Sequence, residues 1–411
     1  MPVPSSRYLL ALLVPIALSA QAGRVERVRH GDTTVVRTTG NGLWGAPRDA
    51  IEVRRIGGDT KETTFGGIFS TVALPDGGVL VFDEKGLDGP ALRMFDRDGK
   101  FVRTVGREGE GPGEYSAFTP FITVASDGTI LLRQFQGLIN RYRADGKFIN
   151  SFRFEIGAGG RQDVFFGNGP SVYVRSGWPN GLRNPLMSTI GLPMRHYDTL
   201  GVILDSIVAP SYLAVRSQSP NGPHESWIPL ADGRILATRT DRLGFLIRSG
   251  SGGRNLFLAD VVTEGPRYLP EERKEQQAVA DFQHEQVGRM YPEGFPAFTV
   301  PERKLLSGQL IMAVDGRVWL KRTAVGVKGP ARIEAGYSDR TGKSGSISVT
   351  YSDLPVFSAF RLDGTYLGDV RFPPNVTGIS FVGDNAWAII KGPDDEPVLV
   401  KFHIPNIPAD R

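Results

Sequence analysis

Residues 69–106 read FSTVALPDGGVLVFDEKGLDGPALRMFDRDGKFVRTVG. Two turn signals punctuate the stretch, Pro75-Asp76-Gly77-Gly78 and Arg97-Asp98-Gly99. Around them lie four runs rich in β-branched and aromatic residues, STVAL, VLVFD, ALRMFD and KFVRTVG. Such runs between Gly-containing turns read as strands, and Asp-Gly is a preferred hairpin dipeptide. In the last run Phe101, Arg103 and Val105 share one face and Val102 and Thr104 the other, as the two-residue side-chain period of a strand requires. The unit is strand, turn, strand, loop, strand, turn, strand.

The same order recurs along the chain. Residues 121–154 carry TVAS, Asp127-Gly128, TILLR, LINRYR, Asp145-Gly146 and KFINSFRF, matching the first unit element by element. Weaker copies follow around SVYVR and VILDSI, RILATR and NLFLADV, RVWLKR and VFSAFRLDG, and AWAIIK and VLVKFHI. The first-turn glycines stand at 77, 128, 169, 233, 316 and 383, and the two shortest gaps are 51 and 41 residues. A period of about 40–50 residues is that of a propeller blade. Longer gaps contain insertions at 211–226, 262–302 and 323–352. The second holds a helix over 270–288, opened by Pro-Glu-Glu and closed by Gly288; the third is Gly/Ser-rich and reads as an extra hairpin.

The sixth unit lacks a fourth strand. Residues 50–57 (AIEVRRIG) precede unit one as KFVRTVG precedes unit two, and would complete it. A radial array buries both faces of every sheet and leaves only short edges. The fold expected is all-β: a six-bladed β-propeller of four-stranded antiparallel blades over residues 50–405, closed by 50–57, with one short helical insertion. Residues 23–49 form an N-terminal segment and 406–411 a tail.

Gly and Pro make 80 of 411 residues, turn-rich but below the roughly 25–30% of low-complexity disorder. Net charge is +4, and no run of Lys/Arg exceeds two, so nucleic-acid binding, which shows a concentrated basic stripe, is not expected. With no cysteine, Cys-ligated zinc, Fe–S clusters, thiol catalysis, disulfides and lipobox anchoring are excluded. Residues 1–7 are a weakly basic start, 8–20 (YLLALLVPIALSA) a 13-residue apolar run, and Ala20-Gln21-Ala22 a small-x-small site. This is the pattern of a cleaved export signal, too short for a membrane span of about 20 residues. The mature chain is expected to be periplasmic or secreted, monomeric and without a membrane span.

The stretch VGREGEGPGEY (105–115) resembles the inter-blade signature of exported bacterial six-bladed β-propellers of the NHL-repeat-like group. The resemblance runs over roughly residues 30–405. It takes in Thr38-Thr39-Gly40 with Trp44, ATRTDR, the helical insert and VDGRVWLKR. It implies an exported propeller, and the group assigns no activity to most of its members.

Candidate chemistry is sparse. Gly109-x-Gly111 lacks the third glycine of a dinucleotide fingerprint, because position 114 is Glu. Asp96-Arg97-Asp98-Gly99 lacks the ligand series of a calcium loop. His30, His196, His224, His284 and His403 show no zinc-ligand spacing, and no G-x-S-x-G occurs. No cofactor is expected; a divalent metal in the channel is the alternative that propeller lyases and lactonases suggest. The strongest pattern is cationic: Arg133, Arg175, Arg239, Lys321, Arg322 and Lys391 follow the second strand of successive units. Unit one has Asp83 there, and Glu108 and Glu110 lie on a crossover at the same end. Arg forks suit carboxylate or phosphate. The sequence therefore reads as a non-catalytic module binding an anionic small molecule or a protein partner. The alternative is a channel-site enzyme, a lactonase-like hydrolase or a lyase, with metal or without.

Overall fold

Asp-Gly turns at Gly77, Gly128, Gly233 and Gly316 set the geometry of four of the repeated units. In a computed structural model of the chain, Gly77, Gly128, Gly233 and Gly316 adopt φ between 82° and 92°, a left-handed conformation open to glycine at little cost. The preceding aspartates close the turns from the side: Asp76 Oδ1 accepts the Gly78 N–H at 2.9 Å and Asp127 Oδ1 the Thr129 N–H at 2.8 Å. Asp96 Oδ1 accepts from Asp98 and Lys100, both at 2.9 Å. These carboxylates serve their own turns. The described residues are 23–405, apart from 59, 116–120, 135–136, 155–161, 168–170, 177–193, 208–222, 224, 251–252, 288–296 and 339–343. The export signal, Gly169, most of the 211–226 loop, His224, Gly288 and the 406–411 tail lie outside them.

Six four-stranded antiparallel units follow one another. Blade 1 runs Ile68–Ala73, Val79–Asp83, Ala91–Phe95 and Phe101–Thr104. Blade 2 is Phe121–Val124, Ile130–Arg133, Leu138–Tyr142 and Phe148–Arg153. Blade 3 is Gln162–Phe166, Val172–Ser176, Met194–Tyr197 and Ile203–Ile207. Blade 4 is Glu225–Pro229, Ile235–Arg239, Leu243–Arg248 and Asn255–Val262. Blade 5 is Ser307–Met312, Val318–Arg322, Val356–Phe360 and Tyr366–Arg371. Blade 6 is Thr377–Val382, Asn385–Lys391 and Pro397–His403, completed by Ile51–Ile56.

That last pairing closes the ring. Ile51–Ile56 runs antiparallel to Pro397–His403, with Ile56 opposite Leu399 and Ile51 opposite His403. Across the seam Trp387 Nε1 donates to Gly77 O at 3.0 Å, and Ala73 N donates to Ser380 Oγ at 2.7 Å. The rest of the N-terminal segment is a belt. Thr33–Thr39 adds in parallel beside the fourth strand of blade 4, with Arg24–His30 folded back outside it. Leu43 and Trp44 donate to Tyr366 and Leu367 carbonyls, and Arg48–Asp49 pairs in parallel with the fourth strand of blade 5.

The buried apolar side chains form one cluster at each junction between consecutive blades. Phe82, Leu92, Tyr115 and Leu132 fill the space between blades 1 and 2; Trp319, Phe357, Phe381 and Phe402 fill that between blades 5 and 6. Trp319 lies flat on Phe381, with ring centroids 3.9 Å apart. Period-two alternation gives every blade two apolar faces, so each sheet is stable only between neighbours.

Candidate functional site: the loop-bearing end of the ring

Repetition sorts the connections. First-to-second and third-to-fourth turns sit at one end of the ring, second-to-third loops and inter-blade crossovers at the other. The turn end is trimmed by the Asp-Gly turns. The loop end carries every long connection. Helix α1 (Pro270–Phe282), continued by a π turn at Gln283–Val287, lies on the crossover from blade 4 to blade 5. A hairpin, Gly326–Ser338 with Ser344–Asp353, lies in the second-to-third loop of blade 5.

The cations read from sequence sit at this end, but in two rows. Arg133, Arg175 and Lys321 are the fourth residues of their second strands; Asp83, Arg239 and Arg322 are the fifth. Alternation sends the two rows to opposite faces of their blades, so they do not form one continuous ring. In the first row, the Arg133 guanidinium lies 5.8 Å from the Phe121 ring centre, and buried Arg175 lies 4.9 Å from that of Trp227 and donates to Trp227 O at 3.3 Å. Lys321 is exposed.

The second row is engaged in tying down loops. Buried Asp83 accepts from the backbone N–H groups of Gly66 and Gly67, at 3.2 and 2.8 Å, and faces Arg93 at 3.4 Å. Arg93 in turn donates to the carbonyls of Glu62 and Thr64. Arg239 grips Asp241 through two bonds of 2.9 and 2.6 Å. Arg322 bonds the Asp369 carboxylate, which also accepts from Ser358 Oγ at 2.5 Å and Tyr366 Oη at 2.6 Å. Burial and the Asp369 charge push the Tyr366 phenol far up. Further round, Lys391 bonds Asp395 at 3.0 Å. Of the crossover acids, Glu108 and Glu110 are exposed. Glu114 accepts the Gly111 N–H at 2.7 Å and pairs with Arg107, and these bonds hold its carboxyl below the usual range.

Sequence reasoning missed the junction that joins the two insertions. Buried Lys304 bonds the carboxylates of Glu272 on α1 and Asp353 on the hairpin, and donates to Ala324 O at 2.8 Å. Burial beside these acids pushes the Tyr268 phenol up to about 12. Glu275 of α1 accepts from Thr350 Oγ1 at 2.6 Å and Thr350 N at 2.7 Å, and Phe282 meets Tyr337 at 5.9 Å. No local motif announces contacts among residues 20 to 75 positions apart. Among the described residues no three His, Asp or Glu side chains converge as metal ligands. His196 Nε2 bonds Ser171 Oγ at 2.7 Å and its ring stacks on Tyr173; His403 faces Asp384 at 3.7 Å.

A family model described as a 6-bladed beta-propeller matches residues 34–162. A candidate exported protein of Bacteroides fragilis is 12% identical with a TM-score of 0.48, over 90% of this chain and 100% of that one. BamB from Moraxella catarrhalis is 8% identical, with a TM-score of 0.33 and coverage of 92% and 96%. The calcium-binding protein regucalcin from Agrobacterium tumefaciens is 11% identical, with a TM-score of 0.38 and coverage of 89% and 100%. No curated protein matches the sequence. The strand order and the family model agree that the chain is a six-bladed β-propeller.

Proposed function

We propose that this propeller is a non-catalytic binding module of the bacterial envelope, and that its loop-bearing end receives a protein partner. The observation that carries the reading is the asymmetry of the ring. One end is cut to tight Asp-Gly turns, while the other holds the helix and the hairpin, joined through Lys304. In repeat architectures, insertions concentrate on the face that binds. The hairpin strand Gly326–Ser338 is exposed along most of its length, so it contributes little to the core it grows from. A protein partner is favoured over a small anion because Arg239 and Arg322 already hold carboxylates.

The test is site-specific photo-crosslinking in the producing cell. A photoreactive residue at Ile333 or Leu87 on the loop end should give one discrete adduct, and the same residue at Asp98 or Asp127 on the turn end none. Equal adducts from both ends, or none from either, would overturn the assignment. Export rests on the apolar run and the Ala20-Gln21-Ala22 site. Mass spectrometry of the mature protein should find Gly23 at its N-terminus; an intact Met1 in the cytoplasm would sink that part.

A further inference from the structure

The belt covers only half of the rim. Residues 24–49 shield the outer edges of blades 4 and 5, and 51–56 become the outer strand of blade 6. Several outer edges have no strand partner among the described residues, those of blades 1, 2, 3 and 6 and of the belt, and the blade 3 and belt edges stand side by side. Among the described residues Ile203–Ile207 of blade 3 pairs only with Met194–Tyr197, and Arg24–His30 pairs only with Thr33–Thr39. The blade 3 edge exposes Val202, Ile203 and Leu204, at 56%, 46% and 55%, an apolar edge of the kind that templates pairing with another chain. The belt edge exposes Val28 at 39%. Their net charges are opposite: Arg24, Arg27 and Arg29 outweigh Glu26 on one, with Arg27 also held by Asp363 of its own ring, and Asp198 and Asp205 lie on or beside the other, with Asp205 near His196.

We infer that a second copy of this chain occupies these edges. In each of two side-by-side rings, Arg24–His30 would add to Ile203–Ile207 of the other. Strand direction permits this arrangement. Fourth strands of repeated blades run in one sense. Thr33–Thr39 is parallel to that of blade 4, and Arg24–His30 is antiparallel to Thr33–Thr39, so it runs against Ile203–Ile207. A two-fold axis parallel to the ring axis, placed outside the rim between blades 3 and 4, brings the unlike edges together antiparallel, twice per dimer. Such an interface is isologous and closes on itself. Like edges are disfavoured, because centred antiparallel self-pairing sets Asp205 against Asp205 or Arg27 against Arg27, and like charges directly opposite destabilise a sheet. The inference replaces the monomer expected from sequence and is independent of what binds the loop end.

Sedimentation equilibrium of the mature chain should give twice the chain mass, and Leu204→Lys should reduce it to the monomer without lowering the melting temperature. Because the chain has no cysteine, copies carrying Val28→Cys can be mixed with copies carrying Leu204→Cys. Oxidation should yield a disulfide-linked heterodimer, and Leu87→Cys in place of Leu204→Cys should not. A monomer at the highest soluble concentration, a dimer indifferent to Leu204→Lys, or cross-linking equal to the Leu87→Cys control would each overturn the inference.

Discussion

At Glu275 a single half-buried carboxylate links two insertions. It takes the Thr350 hydroxyl and the N–H groups of Thr350 and Tyr351, and these bonds, the hydroxyl first, hold its carboxyl below the usual range. The sign of the linkage follows. A carboxylate whose pKa falls on folding stabilises the folded form above its unfolded value, about 4.3 for Glu, and that contribution is lost as pH falls through the lower folded value. The docking of the hairpin on α1 should therefore loosen below about pH 4 while the blades remain paired. Hydrogen exchange at residues 344–353 should rise there and stay flat in blades 1 and 2. Glu275→Gln, which keeps the shape but weakens the acceptor, should bring the faster exchange to neutral pH. A uniform response across the chain would place the acid sensitivity elsewhere.

Elements differ in how plainly the sequence declares them. The turns were legible because their chemistry is local: Asp363-Gly364 puts a left-handed glycine, φ 79°, where any Cβ would strike the Phe257 ring. The helix start was legible from Pro270-Glu271-Glu272, and the structure adds a bond from Leu269 N to Glu272 Oε2. The belt was not. Parallel addition of Thr33–Thr39 to a strand more than 200 residues away leaves no local pattern, since its valines suit any strand. The rim cations divide for a different reason. Counting from the turn glycines aligned Arg175 with Arg239, but Gly169 stands three residues before its second strand where Gly233 stands two, which displaces the count by one. Arg175 is thus the fourth residue of its strand and Arg239 the fifth. A shift of one residue reverses a strand side chain, and the cations that follow the second strands fall into two rows. The Lys304 junction depends wholly on tertiary contact.

For the whole molecule, closure is the step that turns six blades into one cooperative unit. Each interface cluster is shared by two sheets, so a missing strand at the seam exposes both. The N-terminal segment supplies Ile56 to the cluster between blades 6 and 1 and Trp44 to that between blades 5 and 6. Removing a buried Trp alone costs about 3–5 kcal/mol, and deleting 23–57 also strips the hydrogen bonds of Pro397–His403 and bares an edge. Replacing 326–353 by a short linker removes a largely exposed hairpin that contributes mainly to α1. Its cost should be confined to the bonds of Asp353 to Lys304 and of Glu275 to Thr350 and Tyr351. The shortened hairpin variant is therefore expected to melt within about 3 °C of the parent, and the 23–57 deletion about 10 °C or more lower. The latter should lose the single sharp transition and aggregate through the bared strand. Differential scanning calorimetry of both variants decides the matter: equal melting temperatures would mean that the ring is held by its blade contacts without the N-terminal strand, and the closure argument would fall.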